Sequence, residues 1–437
     1  MGLKNNYYTH YNVLANSFLH GQLHLNYTVP PKLLELSDPY NPQANEIFRN
    51  KGLHDLTLYK GKIYMYYGPT PILLLYLPYQ LITGFRLPDS FAVFVFTFGI
   101  LIWATLLLSY LKKEYFENLP EWMLLLAIAV VGFSNVGAFL LRRTNMYEVA
   151  ISSGCFCITG AVYWFCHSVQ KNNINKKMLI FGSLLLGLAV GCRFYFIFSS
   201  ILLLIFLFLL IKKDKKLAVP LFLPFTLCLV IHFIYNYLRF DNIFENGLKH
   251  QLTAFPAKLF FPRSFISNFH SYVLQLPLIN STFPFFHIQL WKPPPHIPYL
   301  FERIVGFIPG IPFTTTLFLI LFVNRFQIQR KFPLSISLII LIPAITNLFL
   351  LVCYEWLTMR YVVDFATLFI ISASIVCFYF DYVLVNSKLQ IYLRLLIVTS
   401  GIISILFGIA FSITGCFYGL ENQNPEEFNK LQSWFLD

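Results

Sequence analysis

The chain has 437 residues, 57% hydrophobic, 18% aromatic and only 12% charged, with a formal net charge of +12. That balance excludes both a soluble globular domain and a disordered chain. The basic excess would suggest nucleic acid in a soluble protein. Here Lys and Arg gather in short loops between apolar runs, which is a membrane-orientation signal and excludes a nucleic-acid partner.

Taken in order, residues 1–68 contain no segment able to span a bilayer. Residues 12–25 place apolar side chains at helical spacing and predict a short amphipathic helix at the interface, broken near Gly21. Pro30-Pro31, Asp38-Pro39 and Asn41-Pro42 then impose extended or turning chain. Residues 54–71 alternate apolar and polar side chains on either side of Lys60-Gly61-Lys62 and predict a β-hairpin. Residues 71–84 are apolar but short, with Pro78 inside, and predict an interfacial or re-entrant helix.

Ten spans are predicted near 91–111, 121–140, 146–168, 178–192, 194–211, 217–237, 305–324, 333–353, 361–383 and 392–413. The expected fold is an all-α polytopic membrane protein of about ten transmembrane helices, a single integral membrane domain over 1–437. It divides into a first outer loop (1–90), six spans (91–237), a second outer loop (238–304), four spans (305–413) and an outer tail (414–437). The fourth and fifth spans are short, and the sequence places Arg193 at the water surface in a tight hairpin between them.

Alternate short loops carry fourteen basic residues: Lys112, Lys113, Lys171, Lys176, Lys177, Lys212, Lys213, Lys215, Lys216, Arg325, Arg330, Lys331, Lys388 and Arg394. The opposite loops carry four: Arg142, Arg143, Arg193 and Arg360. The positive-inside rule puts the first set in the cytoplasm, and the head, the 238–304 loop and the tail outside. Carrying such a head outward leads us to expect a further spanning helix upstream of Met1. The eight cysteines have no metal-ligand spacing and read as lipid-buried thiols. His20 and His24 have helical spacing, but Gly21 between them argues against a metal site. No cofactor is indicated, and a divalent metal stays open.

Charges at the outer ends of spans are the candidates for chemistry: Arg142, Arg143, Glu148, Arg193, Arg360 and Asp364. Arginines gathered under a polar head suit an anionic headgroup, because guanidinium grips phosphate bidentately. Plainer roles are also available. Arg360 and Asp364 are four residues apart and can pair with each other, Arg142 and Arg143 can snorkel to lipid headgroups, and Glu148 can cap a helix. In the head, Asp38 and Asp55 are the candidate general bases for an acceptor hydroxyl, with turn-forming and hairpin-capping as their structural alternatives.

The order of these segments resembles the multi-spanning C-type glycosyltransferases, which include protein O-mannosyltransferases, lipid A aminoarabinose transferases and rhizobial core-sugar transferases. The segments carrying the resemblance are YNVLANSFLHGQL, GPTPILLLYLPYQLITG, RRTNMYEVAISSG, GLAVGCRF, IYNYLRFDNIFENG and MRYVVDF. The resemblance implies a polyprenyl-phosphate sugar donor, membrane lipids around it, and an envelope glycan, lipid or protein acceptor. It also implies an inverting transfer on the outer side of what would be a bacterial inner (plasma) membrane. It further implies a catalytic acid just before the amphipathic segment, where this chain reads KNNYYTHYN and has no acid before Glu35. That acid then lies upstream of Met1, or Asp38 replaces it, or activity is lost. A transporter or flippase for a lipid-linked or anionic solute is the rival reading, though such proteins show inverted repeats and midplane polar sites.

Overall fold

The computed structural model describes residues 9–134, 137–142, 144–169, 174–212, 214–253, 260–287, 310–326, 334–414 and 419–436. Arg143, the Trp291-Lys292-Pro293 stretch, and the loop bases Lys171, Lys213, Arg330 and Lys331 lie outside the described residues.

The head begins with helix α1 (His10–Leu19), which ends where Gly21 adopts φ +69°. Asn12 pins it in place. Its amide donates to the Leu87 carbonyl (2.7 Å), and its oxygen accepts from the Leu87 N–H (2.9 Å) and Gln80 Nε2 (3.0 Å). One buried side chain thereby fastens the amphipathic helix to the chain entering the first span. Strands β1 (Thr57–Tyr59) and β2 (Lys62–Tyr64) pair antiparallel, with Thr57 opposite Tyr64 and Tyr59 opposite Lys62. Lys60 and Gly61 form the turn at φ +47° and +72°, the geometry of a two-residue type I′ hairpin. A π-helical turn (Ile72–Tyr76) then continues into α2 (Leu77–Thr83). Ile72–Thr83 reaches roughly 18 Å, well short of the ~30 Å hydrocarbon layer. Ile72, Tyr76 and Gln80 face the protein while Leu81 and Ile82 are exposed.

The body follows as α3 (Asp89–Tyr115), α4 (Glu121–Ser134), α5 (Gly137–Arg142), α6 (Met146–Ser168), α7 (Lys176–Cys192), α8 (Phe196–Ile211) and α9 (Ala218–Phe240). Beyond the second loop come α10 (Leu334–Val352), α11 (Val363–Val383) and α12 (Lys388–Thr414). The fold is an all-α polytopic membrane protein. Six helices, Asp89–Tyr115, Met146–Ser168, Lys215–Phe240, Leu334–Val352, Met359–Val383 and Lys388–Thr414, are long and apolar enough to cross a bilayer. The other four expected positions carry shorter helix. Of the second, the described residues are α4 and α5, with 135–136 outside them, and α7 and α8 have 17 and 16 residues. The seventh is a single turn at Ile311–Thr314 running into a 3-10 stretch, Thr315–Phe326.

Sequence patterning sets how these helices sit. On α3, Ala92, Val93, Phe96, Ile100, Ala104 and Leu107 are buried, while Phe91, Phe94, Phe98 and Ile102 are exposed. The exposed stripe is as apolar as the buried one, which suits a helix with protein on one side and lipid on the other. Helices α6 and α11 are enclosed most completely and form the centre of the bundle. The described cysteines are all free.

The head is seated on the body through backbone contact. Arg239, buried near the end of α9, donates to the Met65 carbonyl at 2.7 Å. Thr57 Oγ1 donates to the Gly247 carbonyl at 3.0 Å, and the Leu252 N–H donates to the Leu56 carbonyl at 2.8 Å. Gly68 meets Gly191 at the end of α7 so closely that a Cβ on Gly68 would lie 2.1 Å from the Gly191 carbonyl oxygen. Backbone has little freedom to retreat there. We therefore expect Gly68→Ala to destabilise the protein by about 1–3 kcal/mol through overpacking, read as a lower thermal midpoint in detergent. An unchanged midpoint would show that the head does not rest on α7.

Candidate functional site

Four of the six predicted outer-end charges meet beneath the head. Glu148 is in the first turn of α6, Arg193 follows the last residue of α7, Arg360 lies in the 3-10 turn Met359–Val362, and Asp364 opens α11. All four are buried. The pairing is crossed. Arg193 Nη1 donates to Asp364 Oδ2, and Arg360 Nη1 donates to Glu148 Oε1 at 3.4 Å. Arg360 and Asp364 do not pair with each other, although their spacing allowed it. Residue 360 precedes α11, and the two take different ionic partners, Arg360 the Glu148 of α6 and Asp364 the Arg193 at the end of α7.

The pairs are supported on further sides. Asp364 Oδ1 accepts from Cys155 Sγ at 3.1 Å, and the Asp364 carbonyl accepts from Asn347 Nδ2 at 2.9 Å. Glu148 closes a capping box by accepting the Asn145 N–H at 3.1 Å, so its helix-capping and ion-pairing roles coincide. Aromatic rings line the cations. The Arg193 guanidinium lies 4.7 Å from the Tyr195 ring centroid and 4.6 Å from that of Tyr361, and Arg360 lies 4.5 Å from Tyr147. Such contacts stabilise a desolvated guanidinium that would otherwise be costly to bury.

Arg193 is a correction to the sequence expectation. The tight hairpin between α7 and α8 is present, but its arginine is buried and not at the water surface. The cause is the head, whose Gly68 rests on Gly191 and closes the hairpin tip from above.

The head contributes a carboxylate. Tyr147, whose ring carries Arg360, donates its hydroxyl hydrogen bond to Asp55 Oδ2. Asp55 adopts φ +58°, left-handed geometry that costs roughly 1 kcal/mol or more and turns its side chain inward ahead of β1. Its carbonyl accepts from Gln251 Nε2 at 3.4 Å, and His54 Nε2 lies 3.6 Å from its carboxylate. Tyr66 and Tyr67, tilted 35° to each other with ring centroids 4.1 Å apart, follow on this side of the head. Burial pushes both phenols well above their usual range, so they stay protonated.

The other predicted residues lie elsewhere. Arg142 Nη1 donates to the Ser412 and Ile413 carbonyls (3.1 and 3.3 Å), a cation on the C-terminal end of α12. Arg143 lies outside the described residues. Asp38 is exposed and accepts the Tyr40 N–H at 2.9 Å, forming an Asx turn. His20 bonds to the Asn16 carbonyl and His24 lies against the Tyr64 ring. Among the described residues, no three His, Cys, Asp or Glu side chains gather closely enough to hold a metal ion.

Sequence reading passed over Tyr147, Tyr195 and Tyr361, although each stands within two residues of a candidate charge (Glu148, Arg193 and Arg360) and lies against a buried arginine. It also passed over Asp89. That buried carboxylate accepts from Tyr76 (2.5 Å) and Thr9 (2.9 Å) and ties the head to the start of α3.

The Arg193–Asp364 pair gives a direct test. Removing one partner of a buried pair typically costs 3–5 kcal/mol, because a bare charge is left behind, whereas an apolar replacement of both is close to neutral. Arg193→Met should lower the thermal midpoint steeply, and Arg193→Met with Asp364→Leu should recover much of the loss. Equal destabilisation by single and double variants would show that the two charges are not coupled.

No protein-family model and no curated protein matches the chain. Among solved structures, the archaeal oligosaccharyltransferase AglB from Archaeoglobus fulgidus, in complex with an inhibitory peptide and a dolichol-phosphate, is similar at 13% identity and a TM-score of 0.48. The match covers 98% of this chain and 55% of that one, so the chain spans little more than half the length of that protein.

Proposed function

We propose that this protein is a membrane glycosyltransferase that takes a sugar from a polyprenyl-phosphate donor and passes it to an acceptor hydroxyl on the head side of the bilayer. The observation that carries the reading is Tyr147. Its ring supports a buried arginine and its hydroxyl holds the head carboxylate, so one side chain joins a cationic site to a candidate base.

Asp55 is the base in this scheme. It takes the acceptor proton as the acceptor oxygen bonds to the anomeric carbon, and the bond from that carbon to the phosphate oxygen breaks on the opposite face, inverting the centre. The departing polyprenyl phosphate carries the electron pair. Arg193 and Arg360 stabilise that charge, Arg193 from a site in which carboxylate and tyrosine rings already fix its position. Asp38 is exposed and held in its own turn, whereas Asp55 is bonded to Tyr147 beside Arg360, and that contact supports Asp55 as the base.

Transfer should be measured from a radiolabelled polyprenyl-phosphate sugar in membranes containing the protein. Asp55→Asn should lower the rate about 10²–10⁴-fold while leaving donor affinity nearly intact, since the carboxylate acts chiefly in the transition state. Asp38→Asn should have little effect. Full activity in Asp55→Asn would remove this residue from the mechanism, and no transfer by wild type from any donor would remove the reaction.

The reading also requires the head to face away from the cytoplasm, as the distribution of loop charges indicates. A cysteine placed at exposed Lys60 should react with a membrane-impermeant thiol reagent added outside sealed cells, and one at Lys177 should not. The reverse labelling pattern would put the paired arginines and Asp55 on the wrong side for an outer-face transfer.

A further inference from the structure

The second outer loop contains a helix whose faces are reversed relative to a water-washed surface. Helix Phe265–Phe269 runs into a π-helical turn, His270–Leu274. The buried positions along it are Ser264, Asn268, Ser271, Tyr272 and Gln275, every one carrying a polar group. Facing outward are Phe265, Ile266, Phe269 and Leu274, with Ile266 82% exposed, and the exposed Leu276, Leu278 and Ile279 follow. Within the helix both sets recur at three- and four-residue spacing, so they occupy opposite sides. An amphipathic helix bordering water turns the other way, apolar side in.

The inward side closes the end of α10. A helix leaves its last carbonyls without partners, and hydrocarbon offers them no donor. Ser264 Oγ and Asn268 Nδ2 donate to the Val352 carbonyl at 3.0 and 3.1 Å. Asn268 Nδ2 also reaches the Tyr354 carbonyl at 2.6 Å, and the Phe261 N–H donates to the Cys353 carbonyl at 2.6 Å. Three successive carbonyls are met by protein donors, as a dehydrated helix end requires. The outward side adjoins the lipid-facing side of α10. The Phe265 ring centroid lies 6.3 Å from that of Phe349, and Phe349 and Ile345 are both exposed. With 19 residues, α10 reaches roughly 28 Å and nearly crosses the ~30 Å hydrocarbon layer. Its last turn stands at the head-side edge of that layer, and the reversed helix lies beside that turn.

We infer that residues 260–279 are immersed in the head-side leaflet, with Phe265, Ile266 and Phe269 among the acyl chains. The partner of this surface is the bilayer itself, and part of the second outer loop is a membrane-embedded element. Arg263 and His270, exposed and seven residues apart, share one edge of the outward side. That edge faces the phosphate headgroups, where such side chains extend toward water. The inference does not depend on the sugar-transfer reading.

The experiment is spin-label accessibility in the full chain, reconstituted in nanodiscs of phosphatidylethanolamine and phosphatidylglycerol. Labels are attached at Ile266→Cys and, separately, at Lys60→Cys on the exposed hairpin turn. The signal of the unsubstituted protein is subtracted, and each variant must keep the wild-type size-exclusion profile. At 266, relaxation by dissolved oxygen should exceed relaxation by a water-soluble nickel chelate, and at 60 the order should reverse. Phe269→Cys gives the same reading should Ile266→Cys alter the fold. Dominance of the chelate on this side of the helix would place it in water. Weak relaxation by both reagents would place it under protein, either the rest of the loop or a second copy of the chain. Either result overturns the inference.

Discussion

A guanidinium taken out of water needs acceptors within reach, and this structure supplies a carboxylate for one twice at one level of the bundle. Arg193 reaches Asp364 and Arg360 reaches Glu148, so the turn between α7 and α8, the start of α11 and the start of α6 are bound to one another by charge. Helices packed in lipid gain little from hydrophobic association, since the medium is as apolar as they are. Directed polar contacts therefore decide which helix ends meet. Here they gather three ends under the head and leave the lower bundle to shape-matched packing, with the Asp381–Arg394 pair joining α11 to α12 at the opposite side.

The head follows from the same economy of polar contacts. Several of its ties to the body reach backbone: Asn12 to Leu87, Arg239 to Met65, Thr57 to Gly247. Such contacts depend on chain path more than on side-chain identity. Side-chain pairs complete the seating, Thr9 with Asp89 and Asp55 with Tyr147, and the second of these sets the head carboxylate beside the ring that carries Arg360. A site placed between a clamped head and a charge-stitched bundle is rigid on both walls, as a preorganised electrostatic site requires.

Much of this was legible in the chain. Apolar run lengths marked the helices, alternation around Lys60-Gly61 marked the hairpin, and Pro78 in a short apolar run marked a segment that does not span. Charges at the ends of spans pointed to Glu148, Arg193, Arg360 and Asp364 because such residues are expensive in lipid and so cluster. What the chain could not show was partner choice. Arg360 and Asp364 have helical spacing, but the helix begins only at Val363, and that displacement sends each to a different neighbour. Arg142 looked equivalent to Arg193 in sequence, yet it ends beside the last carbonyls of α12, where the C-terminal end of a helix draws a cation. Asp55 looked weaker than Asp38 because its inward turn rests on a positive φ that no residue pattern announces.

The meeting of Gly68 and Gly191 has a bearing on how such a protein can change over time. Neither position tolerates a side chain, since a Cβ on Gly191 would in turn fall 2.2 Å from Thr70 Oγ1. The seam nearest the arginines is thus closed to ordinary drift, and two coordinated replacements would be needed to reopen it. Change near the arginines is left to the other borders of the site, such as the loop that follows α9, whose Gln251 reaches the Asp55 carbonyl. Divergent descendants of this chain would keep the same floor and differ in their rims.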